Sequence, residues 1–424
     1  MKALVIGGGG REHALAWKLS QAPSIEAVYA SPGNAGIALD VSCIPGVAND
    51  PAEMAALAET LGVDFTVVGP EAPLVAGVVD AFRAKGLPIV GPTQAAAQLE
   101  ASKVFCKRFL EEFHIPTAAA ETVETVEELD AALDRIGVPV ALKADGLAAG
   151  KGVILADDLE TAKAEGRRLL SGEAVGAAGQ RLLVEQFLVG REVSFIVLSD
   201  GRSTFEFRAT QDHKAAFDGD KGPNTGGMGA YCVDSILSDD LRKVVMDTII
   251  EPSLAGMRSR GAAFQGFLYC GLMMTDDGPQ VLEYNARMGD PETQPLLYRM
   301  NGDFGELLAS AARGALDPSL VGWSDGATAC VVMASGGYPG EYEKGKLITG
   351  VAQANATGAK VFHAGTMLRE GKLVTSGGRV LGVTAAGPDL AAALSGAYRA
   401  VEKISFDGVQ YRSDIGSKGL AQKS

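Results

Sequence analysis

The chain has little from which to build a metal cluster or a membrane span. Of its 424 residues, five are cysteine and four histidine. The cysteines, at 43, 106, 232, 270 and 330, form no CxxC pair and are odd in number. That argues for reduced thiols in a cytoplasmic protein and against a zinc site. No apolar run approaches ~18 residues, so no spanning helix is expected. The opening MKALVIGGGGREH lacks the long apolar core of a signal peptide. Positive charge is also scarce: 38 Lys and Arg stand against 52 Asp and Glu, a net charge of −14. This argues against nucleic acid and anionic membranes as partners. Small anions remain open, because a few lysines and backbone amides can hold a phosphate in an acidic protein. With 47% hydrophobic residues, the chain can fill the cores of two to four domains.

What is present centres on Leu142–Leu155, LKADGLAAGKGVIL. An apolar strand enters a glycine-rich loop and a second apolar strand leaves it. Gly146, Gly150 and Gly152 let the backbone approach a ligand without a Cβ in the way. Lys143 and Lys151 flank the loop, and amides with two ammonium groups suit a polyphosphate. The Walker A pattern does not fit, since three residues rather than four separate Gly146 from Gly150 and a strand follows. The segment Asp145–Gly152 is expected to close over bound phosphates.

The first hundred residues alternate short apolar runs (Ala3–Ile6, 27–30, 65–68, 88–90) with helical patterns (11–20, 51–61, 71–85), which predicts a doubly wound parallel sheet. The glycine turn at 7–10 breaks the G-x-G-x-x-G pattern, because Glu12 or His13 stands at the sixth position. A nicotinamide site is therefore disfavoured. A phosphate at this helix N-terminus, on Gly9, Gly10 and Arg11, is consistent with the amides and dipole there. Polar turns PGNAG (32–36), GPEAPL (69–74, with Glu71) and GPT (91–93) follow the strands.

Further on, Lys103–Glu112 reads as a helix, as does 159–170. Glu185, Gln186, Phe187 and Leu188 lead toward Glu192, a pattern that offers apolar surface to a base and a carboxylate to hydroxyls. The stretch 211–231, QDHKAAFDGDKGPNTGGMGAY, reads as a long functional loop. Lys214 supplies a donor there, and Gly226, Gly227 and Gly229, around Met228, supply a phosphate-sized concavity. In VLEYNARMGDPETQP (281–295), period-2 geometry projects Glu283, Asn285 and Arg287 together, between Leu282 and Tyr284 as buried neighbours. One carboxylate, one amide oxygen and one guanidinium suit magnesium and a transferring phosphoryl group. Asp290 and Glu292 follow.

These motifs, with GGREHALAWK before them and SGGRVLGVTA (376–385) after, resemble the phosphoribosylamine–glycine ligase (glycinamide ribonucleotide synthetase) family of the ATP-grasp superfamily. The resemblance covers essentially the whole chain. It implies an α/β multidomain fold: an N-terminal doubly wound domain (1–101), ATP-grasp subdomains (102–325, lid about 118–188) and a small β-rich C-terminal domain (326–424). It implies ATP-dependent ligation of glycine to 5-phosphoribosylamine, with Mg²⁺ or Mn²⁺, in a cytoplasmic monomer. Lys103, Lys143, Gly150, Lys151 and Gly152 would contact phosphates. Glu185–Leu188 would hold adenine, Glu192 the ribose, and Asn224 would line the same site. Glu283 and Asn285 would bind metal, and Arg287 would orient the γ-phosphate. Asp212, Lys214, Asp290 and Glu292 would border the glycine and ribosylamine sites, with Gly9, Gly10, Arg11, Glu71 and 226–229 on the substrate side. Two positions depart from the family: Ala215 stands where Arg is common, and Met288 where Phe is. The alternatives are another carboxylate-activating ATP-grasp enzyme, such as one like biotin carboxylase, and a nucleotide-binding protein without turnover.

Overall fold

A computed structural model describes residues 1–146, 152–172 and 180–421. Gly150 and Lys151, with the centre of the loop expected to close, lie outside the described residues.

The N-terminal unit is a five-stranded parallel sheet. Its order is Ser42–Cys43, Ala27–Pro32, Lys2–Gly7, Phe65–Val68, Ile89–Val90. Lys2–Gly7 is central because Ala3, Leu4, Val5 and Ile6 are all buried, as a strand covered on both faces requires. The strand order reverses between Lys2–Gly7 and Phe65–Val68. The turns after these two strands, carrying Gly8–Arg11 and Glu71, therefore share one crevice. Helix Pro51–Leu61 starts on an Asp50 cap that accepts from Ala52 and Glu53 N–H, and stops at Gly62 in the left-handed region (φ 61°).

Residues 120–186 form a second, four-stranded sheet in the order Ala120–Val123, Leu182–Gln186, Val140–Ala144, Val153–Ala156. Helices Val126–Ile136 and Leu159–Leu170 cover it around a separate core of Leu129, Leu133, Leu142, Leu169 and Val184. Thr125 and Glu128 form a capping box at the first helix, and Asp158 caps the second.

The third sheet is antiparallel and the largest. Along it run Gly278–Asn285, Gln265–Thr275, Arg191–Asp200, Thr210–Asp212, Gly229–Cys232, Ala327–Ser335, Arg379–Gly387 and Lys360–His363. Gly229–Cys232 pairs directly with Ala327–Ser335, so the ladder continues past residue 326.

Two local readings change. The stretch 211–231 is not one long loop. It holds four short strands, the middle two forming a separate hairpin, Ala215–Phe217 with Lys221–Asn224, across an Asp-Gly turn. In Gly278–Asn285 the ladder slips: Gly271 faces Glu283 and Leu272 faces Val281, leaving Leu282 as the extra residue of a bulge. Leu282 is only half-buried, whereas Val281 and Tyr284 point into the core.

Candidate active site

Two adjoining cavities, of about 160 and 240 Å³, lie between the four-stranded sheet and the first strands of the large sheet. Both are lined by Lys143, Val153, Glu185, Leu282 and Glu283. The bulge turns Leu282 into this space. The first cavity adds Lys103, Gly152, Glu71, Asn285 and Arg287; the second adds Gln186, Phe187, Leu188, Glu192, Lys214 and Asn224. Fourteen expected positions, from Glu71 to Arg287, thus line this space.

The lysine end is tightly organised. Lys143 Nζ lies 2.6 Å from Glu185 Oε1, and Lys107 Nζ lies 3.0 Å from Glu185 Oε2. Two residues expected on phosphate and adenine respectively are therefore an ion pair. Lys103 donates to the Gly146 carbonyl at 3.0 Å. Burial lowers the pKa of Lys103 and of Lys107, opposed by Glu283 and Glu185 respectively. Asp145 ties the glycine loop to the helix bearing these lysines: it accepts from Ser102 Oγ (2.8 Å) and Val104 N–H (3.2 Å) and pairs with Arg181 (2.5 Å).

Glu283, Asn285 and Arg287 converge as expected. Burial would raise the Glu283 carboxyl, but Lys214, Lys143, Lys103 and Arg287 outweigh it and bring its pKa down to about 2. Arg287 Nη2 contacts Asn285 Oδ1 at 3.1 Å and Glu100 Oε1 at 2.7 Å, and its Nε reaches Glu71 at 3.3 Å. Glu100 was not anticipated. It is buried, accepts the Ala286 N–H at 2.7 Å, and burial raises its pKa against the pull of Arg287.

Beside this lies a buried polar network. Ser194 Oγ and Tyr269 Oη are 2.9 Å apart, and both donate to Glu292 Oε1, at 3.2 and 3.0 Å. Burial, opposed by Lys214 and reinforced by Glu292, Glu192 and Glu283, pushes the Asp212 carboxyl up to about 7. Lys214 Nζ sits 3.5 Å from Glu283 and 3.6 Å from Glu192. Ser194 and Tyr269 carry no motif; they join the site only because strands at 191–200 and 265–275 are neighbours.

The expected phosphate cradles differ. At the N-terminus of helix Gly10–Ser20, the protein supplies its own anions. Glu12 accepts the Gly9 N–H at 2.5 Å, and Asp290 accepts from the Arg11 backbone. The Arg11 side chain turns to Glu12 (2.6 Å) and to the Met288 carbonyl (3.0 Å). A carboxylate so placed satisfies the same orphan amides that a phosphate would. The 226–229 concavity is also spent internally. Gly226 N–H donates to Tyr338 Oη, Gly227 N–H to Thr225 Oγ1 and Met228 N–H to the His213 carbonyl. Met228 is fully buried, and a Cβ on Gly229 would meet Ile415 at 2.6 Å. Arg379, also unanticipated, joins these regions by donating to the carbonyls of Gly226 and Asp290 at 2.6 Å each. Burial would lower its pKa, but Asp290 prevails and raises it. Ala215 pairs with Asn224 across the hairpin, and Met288 is buried in the core, where its thioether replaces a ring.

Known proteins match this arrangement over its whole length. The family models for the phosphoribosylglycinamide synthetase N domain, ATP-grasp (A) domain and C domain match residues 1–100, 101–293 and 328–418. A phosphoribosylamine–glycine ligase from Pseudomonas aeruginosa is 50% identical over 426 aligned residues, covering 100% of this chain and 99% of its own. One from Ralstonia nicotianae is 50% identical, covering 99% and 100%. The crystal structure of the Thermotoga maritima phosphoribosylamine–glycine ligase superposes with a TM-score of 0.85 at 34% identity, covering 98% of this chain and 100% of that one. The biotin carboxylase domain of Hydrogenobacter thermophilus 2-oxoglutarate carboxylase shares the fold, with a TM-score of 0.73 over 97% and 91% of the two chains, at only 17% identity.

Proposed function

We infer the roles of individual residues from one premise: the chain belongs to the phosphoribosylglycinamide synthetase family and is an ADP-forming ligase that joins glycine to 5-phosphoribosylamine, consuming ATP. The observation that carries the assignment of roles is the convergence of Lys103, Lys143, Glu283, Asn285 and Arg287 on one cavity.

In this reading the polyphosphate lies along Lys103 and Lys143. Adenine lies against Phe187 and Leu188, and Glu192 and Asn224 complete the nucleotide site. Enzymes of this fold use a divalent cation with ATP, and Mg²⁺ or Mn²⁺ fits Glu283 and Asn285. One carboxylate kept ionised and one amide oxygen are the hard donors such an ion takes from protein, the remaining ligands being phosphate and water. Bound there, the ion would neutralise the polyphosphate charge.

Glycine's carboxylate does not react with an amine, because oxide is a poor leaving group. Attack of a carboxylate oxygen on the γ-phosphorus forms an O–P bond and breaks the bond to ADP, giving glycyl phosphate. The ribosylamine nitrogen then attacks the carbonyl carbon, the C–O bond to phosphate breaks, and the nitrogen loses one proton. Arg287 steadies the charge on the transferring group; Asp212, Lys214, Asp290 and Glu292 border the two acceptors. Residues 1–101, 102–325 and 326–424 act as three units, with about 118–188 as the lid. The active species is taken to be a monomer. Five free cysteines support a cytoplasmic protein.

The test is glycine carrying ¹⁸O in its carboxylate. One labelled oxygen is expected in the released inorganic phosphate. Product formation with unlabelled phosphate would eliminate the acyl phosphate and the roles assigned around it.

A further inference from the structure

The hairpin between Lys214 and Thr225 is too small to hold itself. Its strands pair only with each other, Ala215 with Asn224 and Phe217 with Lys221. An isolated two-stranded hairpin is marginal in water at best. Its turn is left-handed at Gly219 (φ 71°) and Asp220 (φ 54°), the second without the freedom of a glycine. Yet both ends of this hairpin reach the nucleotide cavity, through Lys214 and Asn224.

What fixes it arrives from 192 to 203 residues further along the chain. Arg412 is the largest of the fully buried side chains among the described residues. Its Nη1 donates to the Ala215 carbonyl at 3.2 Å and to Asp220 Oδ1 at 2.9 Å. Its Nε and Nη2 hold both oxygens of Asp414, at 2.7 and 2.8 Å. Asp414 in turn accepts the Gly219 N–H at 2.8 Å. Ser413 N–H donates to Asp218 at 2.8 Å, Lys418 pairs with Asp220 at 2.6 Å, and Gly416 N–H donates to His213 Nε2 at 3.2 Å. Every residue of the turn is gripped, and the grip extends to His213, next to Lys214. A buried, bidentate guanidinium of this kind fixes geometry as well as charge, which a lysine cannot reproduce.

We propose that the segment Arg412–Lys418 is part of the nucleotide site, with Arg412 as a positioning residue that sets Lys214 and Asn224 against bound ATP. The proposal rests on the nucleotide reading of that cavity. Neither Arg412 nor its partners touch nucleotide; they act through the hairpin.

Three full-length variants test it by steady-state kinetics and by calorimetric titration with ADP. Arg412→Lys keeps the charge and loses the fork. Asp220→Asn, at a half-exposed position, loosens the same grip without stranding a buried charge. Asn224→Ala removes a cavity-lining group directly. In the first two, KM for ATP and Kd for ADP are expected to rise about tenfold, the effect of losing one charge-assisted bond. KM for glycine, whose site Lys214 also borders, is expected to rise by clearly less than KM for ATP, and kcat at saturating substrates to hold. Normal ATP and ADP affinity in both, beside weakened affinity in Asn224→Ala, would overturn the positioning role while leaving the nucleotide reading intact. A parallel rise in KM for glycine and ATP would also overturn it, since that marks general loosening. Unaltered ADP and ATP affinity in Asn224→Ala would remove the hairpin from the nucleotide site, and the proposal with it.

Discussion

Replacing Arg287 by alanine separates two jobs done by one guanidinium. The first is catalytic: loss of a group aimed at the transferring phosphoryl is expected to lower turnover by ~10²–10³. The second is structural. Arg287 Nη2 sits 2.7 Å from Glu100, whose side chain is only 6% exposed. Breaking a buried pair by removing one partner costs about 3–5 kcal/mol, because the other charge is left uncompensated. Glu100 already has a raised pKa with Arg287 in place, burial being the larger influence. Without the arginine it rises further. A carboxyl whose folded pKa exceeds its unfolded value gives stability that is present at low pH and lost as pH rises through the folded value. The single variant should therefore melt well below the parent at pH 8 and approach it on acidification. Adding Glu100→Gln removes the stranded charge and keeps an oxygen for the Ala286 N–H. The double variant should recover most of the melting temperature at pH 8 but none of the turnover. Thermal melts across pH, with ADP release at saturating substrate, measure both. Recovery of turnover in the double variant would mean that Arg287 serves only to neutralise Glu100. A single variant that melts like the parent at pH 8 would refute the buried-charge argument.

Two further outcomes follow from the charges in the structure. Glu283→Gln should need more Mg²⁺ for half-maximal ADP release, since the ionised carboxylate becomes a neutral amide; an unchanged metal requirement would take Glu283 out of the metal site. Burial holds His213 near pKa 4, with Arg412 and Lys418 adding to it, and His363 near 3, with His13 and Lys360 adding. Depressed values give stability present above the unfolded pKa of about 6.5 and lost as pH falls toward the folded ones. The melting temperature should thus drop on acidification below that point, with a shallower slope in His363→Gln; an identical slope would discount His363.

Regular elements were legible because their periodicity is local. Helices Lys103–Glu112 and Leu159–Leu170 fall at the bounds read from the sequence. The Glu283, Asn285 and Arg287 constellation was legible for the same reason, as a period-2 face. The bulge at Leu282 was not, because register is set by the partner strand rather than by the bulged one. Glu100 and Tyr269 were missed because their importance depends on Arg287 and Glu292, far along the chain. The helix after Gly9 shows the opposite failure. The sequence correctly marks an anion position, but one of the anions that fills it is Asp290, brought from another unit. Strand Ser42–Cys43 is too short to carry any alternation at all.

The ladder that continues from Gly229–Cys232 into Ala327–Ser335 constrains how this chain can be divided. A fragment ending near residue 325 would present the strand at 229–232 as a raw edge, its N–H and C=O groups lacking the partners at 328–331. The separated C-terminal fragment would expose the matching side of Ala327–Ser335, an apolar strand buried along its whole length. Two such edges are templates for aggregation or for each other. Halves of this gene would therefore need to be made together to yield soluble protein, and fusions or insertions belong in the loops rather than at the apparent seam.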